Sequence, residues 1–366
     1  MTSIARKNLF ADKPKLLASV GGVALAVLLV LSLLSVYFGS SSQARALPEH
    51  SGVDRWVVQK GTADLFHTVS ILPADRTERL EAVDGVRSVS AVVNHASKIT
   101  VGDETPTAAV VGFDPDTGFG GPWEVAEGTT KVGSGEAVVD RTLARSNGIG
   151  VGDSVTVGPE SFEVVGLAKD TNAIAFQYVF LTLEDAQRVF EQPGIVSYYL
   201  VETEDTAALE REAPRILPNT EVKTVTAVAD ANEQVIEDSF LPIIMLLVVI
   251  GLAVGVTVIG LTIYTATAER SREFAVLKAV GVGNARLYGI VTAQSLIASL
   301  AGYTLGLGLF RLVQEIAFYA APAVNFSLDA RYYGYVLAGV IVMSVVASAI
   351  PIRKLTQIDP VEVFNA

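Results

Sequence analysis

Four stretches of this chain run without a charged side chain: Leu16–Gln43, Ser239–Ala268, Leu287–Phe310 and Tyr332–Ile352. Each is long enough for a helix to cross the hydrocarbon core of a bilayer, which takes roughly 20 residues. A backbone in lipid has to satisfy its own hydrogen bonds, so such runs fold as helices. The next longest uncharged runs, Thr171–Leu183 and Ile316–Leu328, are too short to span. The pattern predicts a membrane protein: four transmembrane α-helices with a large α+β extracytoplasmic domain inserted between helices 1 and 2. Composition agrees, since 50% of the 366 residues are hydrophobic and only 18% are charged.

Charge sets the orientation. Residues 40–238 hold 15 Lys/Arg against 32 Asp/Glu, a net of −17, while the rest of the chain is net +5. The basic residues flank the spans on one side. Arg6, Lys7, Lys13 and Lys15 precede the first, Arg270, Arg272, Lys278 and Arg286 lie between the second and third, and Arg353 and Lys354 follow the fourth. Such residues stay in the cytoplasm. The expectation is a multi-pass protein of the cell membrane with both termini cytoplasmic and the acidic block outside. An acidic block between basic flanks argues against a nucleic-acid partner. A cleavable signal peptide is the rival reading of the N-terminus, because Ala44-Arg45-Ala46 follows the apolar run. That run is longer than the roughly 7–15 residues of a signal-peptide core.

The chain therefore divides into a cytoplasmic N-terminus (1–15), a first span (16–43), an outer domain (44–238) and a second span (239–267). A cytoplasmic segment (268–286), a third span (287–312), an outer loop (313–331), a fourth span (332–352) and a cytoplasmic C-terminus (353–366) follow. Within the outer domain, Arg55–Gln59, Thr68–Leu72, Val86–Val93 and Thr107–Phe113 read as strands. Ala74–Val83 reads as a helix capped by Asp75 with Glu78 three residues on. Later come a short helix Arg141–Ser146, a hairpin of Ser154–Val157 with Phe162–Leu167, a strand Phe176–Leu181 and a helix Leu183–Phe190. A final strand-helix-strand unit covers Ile195–Glu202, Asp205–Leu217 and Glu221–Val228. This predicts one α+β subdomain split in sequence, 53–113 with 195–228, and a β subdomain inserted at 114–194.

Enzymatic chemistry is excluded motif by motif. The chain has no cysteine, no GxxxxGK[ST], no HExxH and no GxSxG. His50, His67 and His95 have no convergent second ligand in sequence and read as packing or surface residues, with no intrinsic metal or cofactor implied. The span interiors carry no Asp, Glu, Lys, Arg or His, which ion-coupled transporters use. Energy is expected to enter from a partner.

The point of entry is the charged island between the second and third spans. Ala268–Val280 is rich in helix formers and puts Phe274, Leu277 and Gly281 on one face. Glu269 and Arg272 stand at i, i+3 spacing, suited to an ion pair, and Gly281 permits a tight turn into the third span. A plain loop with orienting charges is the simpler reading, but it does not call for the apolar spacing of FAVLKAVG.

ERSREFAVLKAVGVGNARL resembles the coupling segment of the MacB/FtsX-type (type VII) ABC transporter permeases. GEAVVDRTLARSNGIGVGDSVTVGPESFEVVGLAKD resembles their extracytoplasmic domain, and Pro351-Ile352-Arg353-Lys354 to Asp359-Pro360-Val361-Glu362 their C-terminus. The resemblance implies a non-catalytic permease that pairs with a second permease copy, read as a homodimer, and with two copies of a separate ABC ATPase that binds the ATP. It places Glu269, Arg270, Arg272, Glu273, Lys278 and Gly281 against that ATPase. In size and layout the chain is most like the HrtB-type haem-export permeases, which makes haem the first candidate cargo. Tyr37 and Phe38 on the first span, Phe240 and Met245 on the second, and Glu237 at its entrance are the candidate lining of a haem cleft, because aromatics stack on the ring and Tyr, Met or carboxylate approach its iron. The same Tyr and Phe also suit an interfacial aromatic belt, and Met245 suits core filling. Two other functions stay open: an FtsX-like mechanotransmission subunit signalling to an external partner such as a cell-wall hydrolase, and a lipoprotein or peptide exporter.

Overall fold

The computed structural model describes residues 13–356 except 69, 103, 174, 175, 321–323 and 325. The C-terminal motif around Asp359-Pro360 and the basic Arg6 and Lys7 lie outside the described residues. The chain opens with α1 (Lys13–Glu49), β1 (Arg55–Gln59), β2 (Leu72–Pro73), α2 (Thr77–Glu81), β3 (Val86–Thr100) and β4 (Thr107–Phe113). There follow β5 (Val125–Gly128), β6 (Glu136–Asp140), α3 (Arg141–Asn147), β7 (Ser154–Val157), β8 (Glu160–Ala168), β9 (Asn172–Ala173) and β10 (Phe176–Thr182). Then come α4 (Leu183–Val189), β11 (Ile195–Val196), β12 (Tyr198–Thr203), α5 (Thr206–Ile216) and β13 (Thr220–Thr224). The last elements are α6 (Val225–Glu269), α7 (Ser271–Ala279), α8 (Asn284–Ala320) and α9 (Ala330–Thr356). Two compact units result. One comprises Met1–Phe38, Leu241–Ala320 and Phe326–Ala366, the other Gly39–Phe240 with Ala321–Asn325.

In the first unit α1, α6, α8 and α9 are each long and apolar enough to cross a membrane. Small residues let them approach closely, as they must where lipid removes the hydrophobic drive for helix association. A Cβ built on Gly302 of α8 would stand 2.5 Å from Val23 Cβ of α1, and one on Gly306 would stand 2.8 Å from Val27 Cβ. Gly22 of α1 meets Val258 of α6 in the same way, and Gly255 of α6 meets Met343 of α9. The Tyr303 hydroxyl donates to the Tyr333 carbonyl at 2.9 Å, tying α8 to α9.

Among the described residues of the second unit an eleven-stranded sheet runs in the order β13-β1-β12-β3-β4-β10-β6-β8-β5, with β7 and β9 off the path, and β11 pairs with β2 separately. Its spine is β3, which pairs with β12 over residues 86–92 and with β4 over 93–98. One face buries Leu80 of α2, Leu143 of α3, Ala186 of α4 and Leu209 of α5. The other buries the aromatics Trp56, Tyr178, Phe180 and Tyr198 together with Leu47 of α1 and Val228 of α6.

Several expectations change here. The helix read at 74–83 shrinks to α2, and its N-cap is Arg76, which makes no side-chain cap bond. Asp75 pairs with the Arg76 guanidinium instead. The strand read at 68–72 is reduced to β2. β3 continues seven residues beyond Val93, and β4, assigned to the first subdomain, pairs in parallel with β10 of the insert. The strand read at 221–228 ends at Thr224, where α6 begins, well before the expected start of the second span. The three histidines stand apart: His50 stacks on Trp123, His95 leans on Phe190, and His67 lies 3.3 Å from Asp64.

The glycine packing carries a prediction with opposite signs at two positions of one helix. Gly302→Val should lower thermal stability in detergent by about 1–3 kcal/mol through overpacking against α1. Gly308→Ala, where nothing lies within 4 Å, should be neutral or stabilising by up to about 1 kcal/mol. Differential scanning fluorimetry of the two variants side by side checks the pair; equal shifts would contradict the assigned faces.

Candidate coupling site

The site is built on α7. The chain leaves α6 at Glu269, bends at Arg270 (φ −101°, ψ 17°) and starts the new helix at Ser271. Phe274 and Ala275 are fully buried on its inner face, with Ile263 of α6 and Leu287 and Val291 of α8 in the same apolar cluster. Glu273 stands in its first turn and Lys278 in its last, where each charge complements the helix dipole.

The C-terminus closes in a Schellman motif. Val282 N–H donates to the Leu277 carbonyl and Gly281 N–H to the Lys278 carbonyl, both at 2.9 Å. The motif needs a left-handed residue, and Gly281 supplies it at φ +90°. Leu277 and Val282, the two ends of the longer bond, pack on the same apolar cluster. The helix end is therefore fixed both by hydrogen bonds and by burial.

The outer face of α7 is the part that sequence reasoning missed. Arg272, Val276 and Val280 fall at i, i+4 and i+8 and are all exposed, Val276 at 42% and Val280 at 79%. Glu273 is exposed beside them. A valine row next to an acid and a base is a surface that another protein can bury. The sequence reading places Phe274, Leu277 and Gly281 on one face and leaves Val276 and Val280 unassigned, although their spacing from Arg272 carries the signal. The expected Glu269–Arg272 pair does not form, because the bend at Arg270 takes the two off a common helix. Glu269 pairs with Lys15 of α1, and Arg270 lies 3.9 Å from Glu273. Of the expected coupling residues, Arg272 and Glu273 are exposed on α7, Gly281 is exposed at its cap, Lys278 is half-buried, and Glu269 and Arg270 line the bend. A cavity of about 30 Å³ beside Phe274 is lined also by Ser19, Thr267 and Gln294.

In the second unit the last turns of α1 and the first turns of α6 form a two-helix stalk. Its buried seam repeats at helical spacing: Ala44 and Leu47 on α1, Val228, Ala229, Asn232 and Ile236 on α6. Asn232 donates to the Ala44 carbonyl at 3.0 Å and accepts from Leu65 N–H at 2.9 Å, so a buried amide joins both helices to the loop before β2. On the rim the Arg45 guanidinium binds Asp230, Glu233 and Glu49, and Ser41 donates to Glu233. The bond to Asp230 leads the effects that hold the Arg45 pKa above its ordinary value.

The candidate haem-cleft residues divide between the units. Tyr37 and Phe38 are half-buried in an aromatic chain, with ring centroids 5.1 Å apart and Phe38 a further 4.2 Å from Tyr332 of α9. Met245 is 58% exposed on α6 in the same unit. Glu237 and Phe240 belong to the second unit, and both are exposed. Among the described residues no three His, Cys, Asp or Glu side chains cluster as a metal site.

Residues 16–216 match the family model of the MacB-like periplasmic core domain, and residues 245–360 match that of the FtsX-like permease C-terminal region. An uncharacterised ABC transporter permease of Mycobacterium tuberculosis is 26% identical over 100% of this chain and 99% of its own length. One from Mycobacterium bovis is 25% identical over 96% of each. Among solved structures, the periplasmic region of MacB from Actinobacillus actinomycetemcomitans aligns over 52% of this chain and 94% of its own, with 13% identity and a TM-score of 0.40. The extracellular domain of the transporter YknZ from Gram-positive bacteria aligns over 47% and 98%, with 15% identity and a TM-score of 0.37.

The Schellman cap yields a direct prediction. Gly281→Ala meets no neighbour within 4 Å, so its cost is the left-handed backbone alone, about 1–2 kcal/mol. It should loosen the end of α7 without disturbing the outer sheet. Hydrogen exchange at residues 276–282 should speed up while exchange in β3 stays as in the wild type.

Proposed function

The chain belongs to the MacB/FtsX-type permeases of ABC transporters, and from that premise we propose that it turns ATP binding by a separate ATPase into movement of an amphipathic cargo out of the membrane. The chain itself is non-catalytic. It has no nucleotide-binding motif, and hydrolysis belongs to the partner subunit. The observation that carries the reading is the outer face of α7, where an exposed valine row with Arg272 and Glu273 ends in a fixed cap. A cytoplasmic ATPase that buried this face could push on α7, and through the bend at Arg270 on α6. Four spans, termini in the cytoplasm, a second permease copy and two ATPases complete the proposed assembly.

Haem is the first candidate cargo. Its support is residue type and exposure alone: Met245 in one unit, and Phe240 and Glu237 in the other, are exposed side chains of kinds that contact haem. The second reading, mechanical signalling to an external partner, is favoured by the stalk. There α1 and α6 are tied by Arg45 and Asn232, as a lever would need. Export of a lipoprotein or peptide is a third outcome of the same machinery.

Two tests separate these. Val280→Asp, and the double reversal of Arg272 and Glu273, should weaken association with the cognate ATPase at least about tenfold, the worth of roughly one buried apolar side chain. Retained association would contradict the coupling role. Titrating haem into the purified complex should shift its Soret band and change the ATPase rate, with both effects reduced by Met245→Ala. A complex that leaves the Soret band and the rate unchanged is not a haem exporter.

A further inference from the structure

The aromatic face of the sheet carries a cavity of about 180 Å³, enclosed between the strands and the chain that joins β1 to β2. Strand register builds its floor. Ala96 on β3 stands opposite Ala109 on β4, and Ala109 stands opposite Tyr178 on β10. Two adjacent alanines leave open the space that larger side chains fill elsewhere on this face. The mouth lies at His95 and Ala96, both exposed. An apolar cavity of roughly 150 Å³ holds a benzene ring, so this one has room for a six-membered ring with substituents.

The chemistry of the walls selects the ring. Tyr178 is 3% exposed, yet among the described residues its hydroxyl has no hydrogen-bond partner. The Tyr198 hydroxyl accepts from the Asn94 amide at 3.1 Å, which leaves its own proton to donate. That contact uses one side of the Asn94 amide and leaves the other open. The Ser70 hydroxyl accepts from Gln59 N–H at 3.0 Å, and its proton has no acceptor among the described residues. All four side chains line the cavity. No Asp, Glu, Lys or Arg among the described residues does so. The Asp64 carboxylate, whose charge acts on Tyr198, is buried and accepts from the N–H groups of Phe66 and His67, both at 2.7 Å. A charged ligand would thus lose its hydration with no counter-charge to replace it. An apolar ring would leave the Tyr178 and Ser70 hydroxyls shut away and unbonded. A pyranose meets both conditions. Its C–H faces suit the alanine floor, and its hydroxyls, like those of the walls, both donate and accept.

We propose that this cavity binds one uncharged pyranose ring, its C–H face on Ala96 and Ala109 and its hydroxyls on Tyr178, Tyr198, Asn94 and Ser70. The site is independent of the coupling role of α7 and of the cargo. Leu65, which also lines the cavity, donates its N–H to Asn232 of α6, so the bound ring would touch a residue tied to the stalk.

The test is saturation-transfer difference NMR on the full-length protein with its ATPase in lipid nanodiscs, free of ATP and of glycoside detergents. Failure of energy coupling therefore leaves the binding result intact. The probes are the methyl pyranosides of glucose, galactose, mannose and N-acetylglucosamine. At least one should show saturated ring C–H protons and a measurable Kd. Tyr178→Phe, which removes only the hydroxyl, should weaken that sugar about three- to tenfold, the worth of one hydrogen bond. Ala96→Phe, which fills the floor from an exposed position, should abolish binding. Tyr178→Phe decides the matter if Ala96→Phe does not fold. Val151→Ser, at an exposed residue outside the cavity lining, should change nothing. No saturation with any of the probes overturns the proposal, and so does a sugar whose Kd neither cavity variant alters. Phenol or glycine binding more tightly than the sugars, and lost with the same variants, overturns it in favour of an aromatic or a charged ligand.

Discussion

A helix in lipid holds its backbone hydrogen bonds within itself, and this one constraint organises the molecule. It forces the uncharged runs into helices, and it leaves their interiors with no ionisable group on which a gradient could act. Work on such helices has to be done at their ends. The ends are where the chain concentrates its charge and its fixed geometry: α7 and its Gly281 cap at one end of α6, the Arg45 clamp and Asn232 at the other. Between them the spans approach closely through glycine, so a displaced helix meets Val23, Val27, Val258 or Met343 rather than empty space.

The outer domain repeats this logic in water. A single sheet joins what the chain order separates, because β3 is long enough to pair with β12 over one half and with β4 over the other. Helices cover one face; aromatics and the stalk residues Leu47 and Val228 cover the other. Asn232 is a polar residue in an apolar seam. Its amide is satisfied at both ends, so it fixes the register of the stalk instead of weakening it.

Much of this was legible in the sequence, and the losses have physical reasons. Uninterrupted apolar runs mark helices well, yet they say nothing of how far a helix continues into water. The strand expected at 221–228 runs over the first four residues of α6, and the rest of the stalk, ADANEQVIED, carries no expected element because it mixes its apolar residues with acids. The spacing of Val228, Asn232 and Ile236 carries the helix, with an amide in the middle of the stripe. The second half of β3, NHASKIT, is polar enough to pass for a loop, and most of its side chains are exposed or half-buried. On α7 the charges and Gly281 were legible. The outward valines were not, because apolar residues in an amphipathic pattern are read as facing inward. The aromatics proposed for a haem cleft were visible as residue types, but their division between two units was not.

The central claim is that force enters at α7 and reaches the outer domain along α6. Hydrogen exchange over residues 225–240 of the assembled complex, compared between the ATP-free and vanadate-trapped states, tests it most directly. The account predicts a change in protection on trapping that disappears in Val280→Asp at ATPase concentrations high enough to restore binding. Protection that is the same in both states, or a change that persists in that variant, would contradict it.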